Sequence, residues 1–385
     1  MTTIPFVRMF ALTGAFAIFA CSGATTGTSG NTQGAESQSD DGGASSEPTS
    51  SSSSGASGSS GSGSSSSGGA TGSDASSGHS TSTSSSQNEG GLITTDGASQ
   101  TDPDVDYSVA PVTLTMTTFT VDAGDEVYYC QNFANPWGMG VDIKIYSLAM
   151  GAGSHHMFAF YQNGGSAALE PCPNGGLQSG PFTFVSQSPM KTVEFPQSVG
   201  ATIPTGTGFQ LMVHYLNTTA ETITSSVALT MYIAKPNVVT QHAGVLFLDN
   251  TTMTVASTCA QGCQSTESYT LDQDIYILST EGHMHKYGTD FVTTVSPASQ
   301  APPSGQIFET TQWSEPAPTN YSPPLALASG TTITWTCTDV NTTGETLTFG
   351  ESAVTNVMCI SQSIIYPITD VDDPVITNGV SLGGF

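Results

Sequence analysis

From Val112 to Pro367 the chain keeps returning to short runs in which apolar and polar residues alternate: VTLTM from Val112, FQLMVHYL from Phe209, VALTMYI from Val227, DIYILST from Asp274, TITWTC from Thr332 and SIIYP from Ser363. A period of two separates a buried face from a solvated one only when the backbone is extended. Turn sequences such as NGG, PTGTG and PPSG lie between the runs, and no segment carries a long apolar stripe of helical period. The pattern predicts an all-β protein, a tandem of antiparallel, jelly-roll-like β-sandwich domains. The patterned length suits two ordinary cores. A break at AKPNVVTQ, residues 234–241, divides it into 107–237 and 238–370, leaving 371–385 as a C-terminal tail.

What precedes this part is of another kind. Residues 1–20 read as an export signal: the single cation Arg8, then MFALTGAFAIFA, too short and wrongly flanked to span a bilayer. Ala20 followed by Cys21 resembles a bacterial lipobox, in which Cys21 becomes the lipidated first residue; ordinary signal cleavage is the alternative, Phe19 being bulky for that motif. Residues 21–106 are dominated by Ser, Gly, Thr and Ala, too poor in large apolar groups to offset the entropy of ordering. Such a Gly/Ser coil is a tether with a reach on the order of 50 Å. The localisation that follows is exported, either anchored through lipid to a bacterial membrane and facing the periplasm or exterior, or secreted.

The formal net charge of −26 reflects scarce cations: beyond Arg8 there are only Lys144, Lys191, Lys235 and Lys286. With so little to neutralise phosphate, nucleic acid is excluded as a partner, and an anionic lipid surface is disfavoured on the same ground. Membrane contact is therefore expected only through the anchor. Apart from Cys21 there are six cysteines, an even number in an exported chain, which points to disulfides.

Histidine is rare, yet five of the seven fall in three short motifs: His155 and His156 in GSHHMFAF, His214 in LMVHYLN, and His283 and His285 in EGHMHKYG. On a strand, residues i and i+2 share a face, so His283 and His285 can bind one metal while Met284 packs on the opposite side. A pair of satisfied core histidines is the plainer alternative. Adjacent His155 and His156 would point to opposite faces of a regular strand and can share an ion only at a strand end or a bulge. His79 lies in the tether and is read as solvated, and His242 as structural. Met358, in NVMCISQ beside Cys359, adds a thioether, a soft donor suited to Cu(I), whereas imidazole suits both oxidation states of copper.

In that order, SHHM, VHYLN, GHMHKYG and NVMC resemble the copper type II ascorbate-dependent monooxygenases, the family of peptidylglycine α-hydroxylating monooxygenase and dopamine β-monooxygenase. The resemblance covers roughly residues 107–370. It implies two copper ions: His155, His156 and His214 on the electron-donating one in the first sandwich, and His283, His285 and Met358 on the oxygen-binding one in the second. It also implies an open cleft between them for a small organic substrate, and insertion of one oxygen atom of O2 into an aliphatic C–H bond with electrons from ascorbate. The implied disulfides are Cys130–Cys172, Cys259–Cys263 and Cys337–Cys359.

Three positions depart from the family's well-known enzymes. Met212 shares the face of His214 where the amidating enzyme has glutamine. Glu281 shares the face of His283 and His285 where that enzyme has the arginine that takes its substrate's carboxylate, so amidation is disfavoured and a cationic amine becomes the candidate partner for Glu281. Gln362 stands where both named enzymes have tyrosine. A copper-binding protein for storage or sensing, which keeps the metal and has lost turnover, is the second reading, favoured by Met212 and Gln362. An exported adhesion module would require all four motifs to be coincidence.

Overall fold

The alternating runs become strands that pack around two cores. In the computed structural model the residues described are 102–173, 175–176 and 180–379; the segment expected to be an export signal, Cys21, His79, most of the expected tether and the last six residues lie outside them. Among the described residues the architecture is all-β, with one 3-10 turn at Ala298–Gln300.

Two sheets face each other in the N-terminal part. One pairs Val112–Thr115, Val227–Ile233, Val141–Met150 and Val199–Ile203 in that order; the other is the five-stranded set Glu170–Pro171, Glu126–Phe133, Gly208–Leu216, Ser154–Gln162 and Phe182–Ser186. The C-terminal part repeats the plan. Gln241–Asp249, Cys359–Ile368, Ile275–Met284 and Thr319–Leu327 form one sheet, and Cys263–Thr270, Thr332–Asp339, Gly288–Ser296 and Gln306–Thr310 the other. Val199–Ile203 runs parallel to Gln241–Asp249, joining the first sheet of each part into one continuous sheet.

That junction overrides the alternation expected of SIIYP, because its strand is covered on both faces. Along Gln241–Asp249, Val245 and Phe247 enter the first core while Leu246 and Leu248 enter the second. Along Cys359–Ile368, Ile360 and Ile364 face the first core, and Cys359 and Ile365 the second. Strands covered on both faces favour near-continuous apolar runs, although here Ser361, Gln362 and Ser363 are buried as well. Strands with one wet face keep the alternation: in Thr332–Asp339, Ile333, Trp335 and Cys337 are buried, while Thr332 and Thr336 pair through their hydroxyls with Thr270 and Thr266 at 2.9 Å.

The three disulfides are Cys130–Cys172, Cys259–Cys263 and Cys337–Cys359, the pairs implied by the resemblance. Cys337–Cys359 ties the two sheets of the C-terminal part together immediately beside Met358.

Two sequence boundaries shift. Ordered structure begins before 107: Val105 is buried, and Asp102 and Asp104 stand 3.4 and 3.7 Å from the ammonium of Lys144. Lys144 is itself fully buried and donates to the carbonyls of Phe195, Pro196 and Val199, which with the two carboxylates offset the several kcal/mol an isolated buried cation loses in hydration. At the other end the expected tail contributes Val375–Thr377, a strand parallel to Gln241–Asp249.

Candidate metal centre

A bulge resolves the problem posed by adjacent histidines. Between Ser154–Gln162 and Gly208–Leu216, His214 lies opposite His156 but Tyr215 lies opposite Ser154, so His155 is an extra residue in its strand. Gly153, with φ of 82°, brings the chain into this step in a conformation that suits glycine. His155 and His156 consequently reach the same place, each with its ring centroid 4.9 Å from that of His214.

The second group is set by the ladder between Ile275–Met284 and Cys359–Ile368. His283 is opposite Ile360 and Glu281 opposite Gln362, on the face turned toward the first core. Met284 and Cys359, the next pair, turn into the second core, as packing of Met284 requires. His285 and Met358 stand one residue beyond them, both buried.

The two groups meet. The ring of His155 is 5.0 Å from that of His283 and 5.9 Å from that of His285, and His156 is 5.3 Å from His283. The open cleft implied by the resemblance is not present between them: the five imidazoles form one cluster, none more than 7% exposed. A cavity of about 20 Å³ against His156, His283, Met358 and Gln362 has room for about one water-sized guest. A hollow of about 240 Å³ lies on another side of His155, beside Trp313, Glu315 and the 216–219 turn.

Four of the five rings are held from their outer sides. Nδ1–H of His155 donates to the carbonyl of Ser314 at 3.2 Å, that of His283 to Oε1 of Gln187 at 2.9 Å, and that of His285 to the carbonyl of Asn356 at 3.3 Å. In all three, Nε2 is buried without a hydrogen-bond partner, as is Nδ1 of His156. His214 is turned the other way, its Nε2–H donating to Glu126 at 2.7 Å and its Nδ1 lying 3.2 Å from Nε2 of His156.

Burial, the largest influence, pushes every one of these imidazoles down from 6.5: His155 to about 4, His285 to about 3, and His156, His214 and His283 well below the ordinary value, all but His155 also through neighbouring imidazoles. Neutral rings with unpartnered, converging lone pairs and outer nitrogens fixed by acceptors are the arrangement of metal-ligating histidines. The donor set of imidazole with a nearby thioether fits copper and does not fit magnesium or calcium.

Glu281 occupies a different setting from the one anticipated. It is fully buried, and its carboxylate lies 3.1 Å from Nζ of Lys191 while accepting from Gln362 Nε2 at 2.9 Å and, at 3.4 Å, from Ser188 Oγ and the Gln187 N–H. With a cation already beside it, Glu281 has no unmet charge to offer an amine, and Gln362, while lining the small cavity, is its hydrogen-bond partner. Met212 packs in the first core, and His242 accepts or donates at Thr202, 2.7 Å away, remote from the cluster's hydrogen bonds.

Four participants carry no local sequence signal. Glu126, besides His214, accepts from Ser352 Oγ at 2.7 Å and Ala353 N–H at 2.6 Å. Tyr128 stacks on His214 with centroids 4.0 Å apart. Gln187 and Lys191 come from the Phe182–Ser186 strand end and the strand that follows it. Each meets its partner across at least 80 residues of chain, beyond the reach of any short motif.

No protein-family model matches the chain, and no curated protein matches it. Among solved structures, the major capsid protein P2 from bacteriophage PM2 is similar over 68% of this chain and 98% of its own, at 6% identity and a TM-score of 0.28. Infectious bursal disease virus, Gx strain, is similar over 71% and 74%, at 10% identity and a TM-score of 0.17. Likeness at this level carries no argument about function.

Proposed function

We propose that the chain is a copper-dependent monooxygenase that hydroxylates an aliphatic C–H of a small organic substrate, using O2 and a reductant such as ascorbate. The observation that carries this reading is the convergence of five neutral, buried imidazoles, four with a nitrogen left unpartnered, beside the thioether of Met358. With copper bound, such a centre supplies O2 binding and one-electron redox chemistry. The protein's own part is to hold the rings in one tautomer through Ser314, Gln187, Asn356 and Glu126, and to exclude bulk water from the cluster. The small cavity at Met358 suits O2, and the hollow beside His155 gives an organic molecule its approach.

The test is O2 consumption by the copper-loaded chain with ascorbate across a panel of small organic compounds. Uptake that rises with one compound, yields its hydroxylated product and is lost in His283→Ala supports the reading. Uptake indifferent to every compound points to the second one, a copper-holding protein exported on a tether. That alternative is favoured by the direct contact of His155 with His283, where a cleft for a substrate was implied.

A further inference from the structure

The ligand sets implied by the resemblance are each drawn from one part of the chain. We infer that one metal ion is instead held by His155 together with His283 and His285, a three-imidazole site closed across the two parts. This rests on the proposed function only for the identity of the metal.

Three observations carry it. Ligand nitrogens of these three residues lie within 4.8 Å of one another. Imidazoles sharing a tetrahedral ion at the usual bond length stand about 3.3 Å apart, so gathering them needs side-chain rotations on the order of an ångström. These same residues are the ones whose Nδ1–H is taken by an outer acceptor and whose Nε2 is buried without a partner. Finally, the supports for His155 and His283 are crossed: Gln187, from the N-terminal part, accepts from His283 of the C-terminal part, and Ser314, from the C-terminal part, accepts from His155. Gln187 closes the link by donating to the carbonyl of Trp313 at 2.8 Å. Those bonds exist only with the two parts apposed as here, so the polar shell is built for a shared site. His156 and His214, with facing nitrogens 3.2 Å apart, remain as the nucleus of a second set, and Met358 lines the same cavity as His156.

The experiment is titration of the full chain with Co(II), read by its d–d absorption and by metal bound per chain, for the parent, His155→Ala, His285→Ala, their double variant, and His214→Ala. The shared site predicts that His155→Ala and His285→Ala each lose the same equivalent, that the double variant loses no more, and that His214→Ala loses the other. Loss of different equivalents by His155→Ala and His285→Ala, summing in the double variant, would overturn it and leave the within-part sets and the copper reading standing. A parent that binds no ion overturns both, whereas a shared site with no substrate-coupled O2 uptake overturns the proposed function alone. Should a variant fail to fold, imidazole ¹H–¹⁵N spectra of the unaltered chain during zinc titration decide the matter: Nε2 of His155, His283 and His285 must shift in one step, and shifts in separate steps refute the site.

Discussion

Glu126 holds His214 by a 2.7 Å hydrogen bond to Nε2 while the same carboxylate accepts from Ser352 and Ala353, in the segment that leads to Met358. A single side chain thus orients one candidate ligand and secures the loop carrying another. Glu126→Gln weakens acceptance from the ring while keeping the shape, and metal affinity at His214 is expected to fall about 10–100-fold, the usual effect of losing such an outer partner. Competitive copper titration, with near-ultraviolet circular dichroism to show the fold retained, measures this. Unchanged affinity would mean that Glu126 does not position the ring.

Lys191 and Glu281 form a buried ion pair, and removing one charge leaves the other without compensation. Glu281→Gln is expected to lower stability by about 3–5 kcal/mol, whereas the double substitution Lys191→Met with Glu281→Leu costs much less. Urea unfolding of the three proteins gives the values. If Glu281→Gln leaves stability intact and selectively impairs turnover of amines, the carboxylate faces substrate after all.

Asp339 is buried with no partner on either carboxylate oxygen, and burial pushes it up from 3.8 to about 7; Asp249 is pushed up to about 8 for the same reason. The folded chain then keeps protons that the unfolded chain releases. Their stabilising contribution is present in full below about pH 4 and is lost as pH rises through 7 to 8. Asp339→Asn removes the penalty of ionisation, so its Tm should exceed that of the parent at pH 8.5, by roughly 2–4 °C per kcal/mol recovered, and not at pH 4. Thermal melts across that range check the sign, and a difference that grew toward acid pH would contradict it.

Gly282 separates Glu281 from His283, and a Cβ there would stand 2.5 Å from the ring of Phe291. Gly282→Ala forces that ring or the strand to move, and overpacking of this kind costs about 1–3 kcal/mol. The strand also carries His283, so metal affinity should fall together with Tm. A drop in Tm with no change in affinity would show that Phe291 yields and the strand does not.

The strands were legible because TITWTC and VALTMYI alternate buried and less buried residues position by position, whereas FQLMVHYL is buried almost throughout; the expected shared face of His283 and His285 follows from the same period. The bulge at His155 was legible only as a condition that two adjacent ligands must meet. What the sequence leaves unwritten is long-range: the ring of His155 against that of His283, Lys191 against Glu281, Gln187 under His283. Each depends on how one sheet is laid beside another. Glu126 is one of many acids and has no neighbour in sequence to mark it, and the burial of Lys144 within an alternating strand looks from sequence like any surface lysine.

The most direct test is copper bound per full chain after reduction and desalting. Two tightly held equivalents in the parent, with His214→Ala and Met358→Ala each weakening binding, are what the centre described here predicts. No retained copper, or retention indifferent to both substitutions, would contradict it and leave the histidine cluster as core packing.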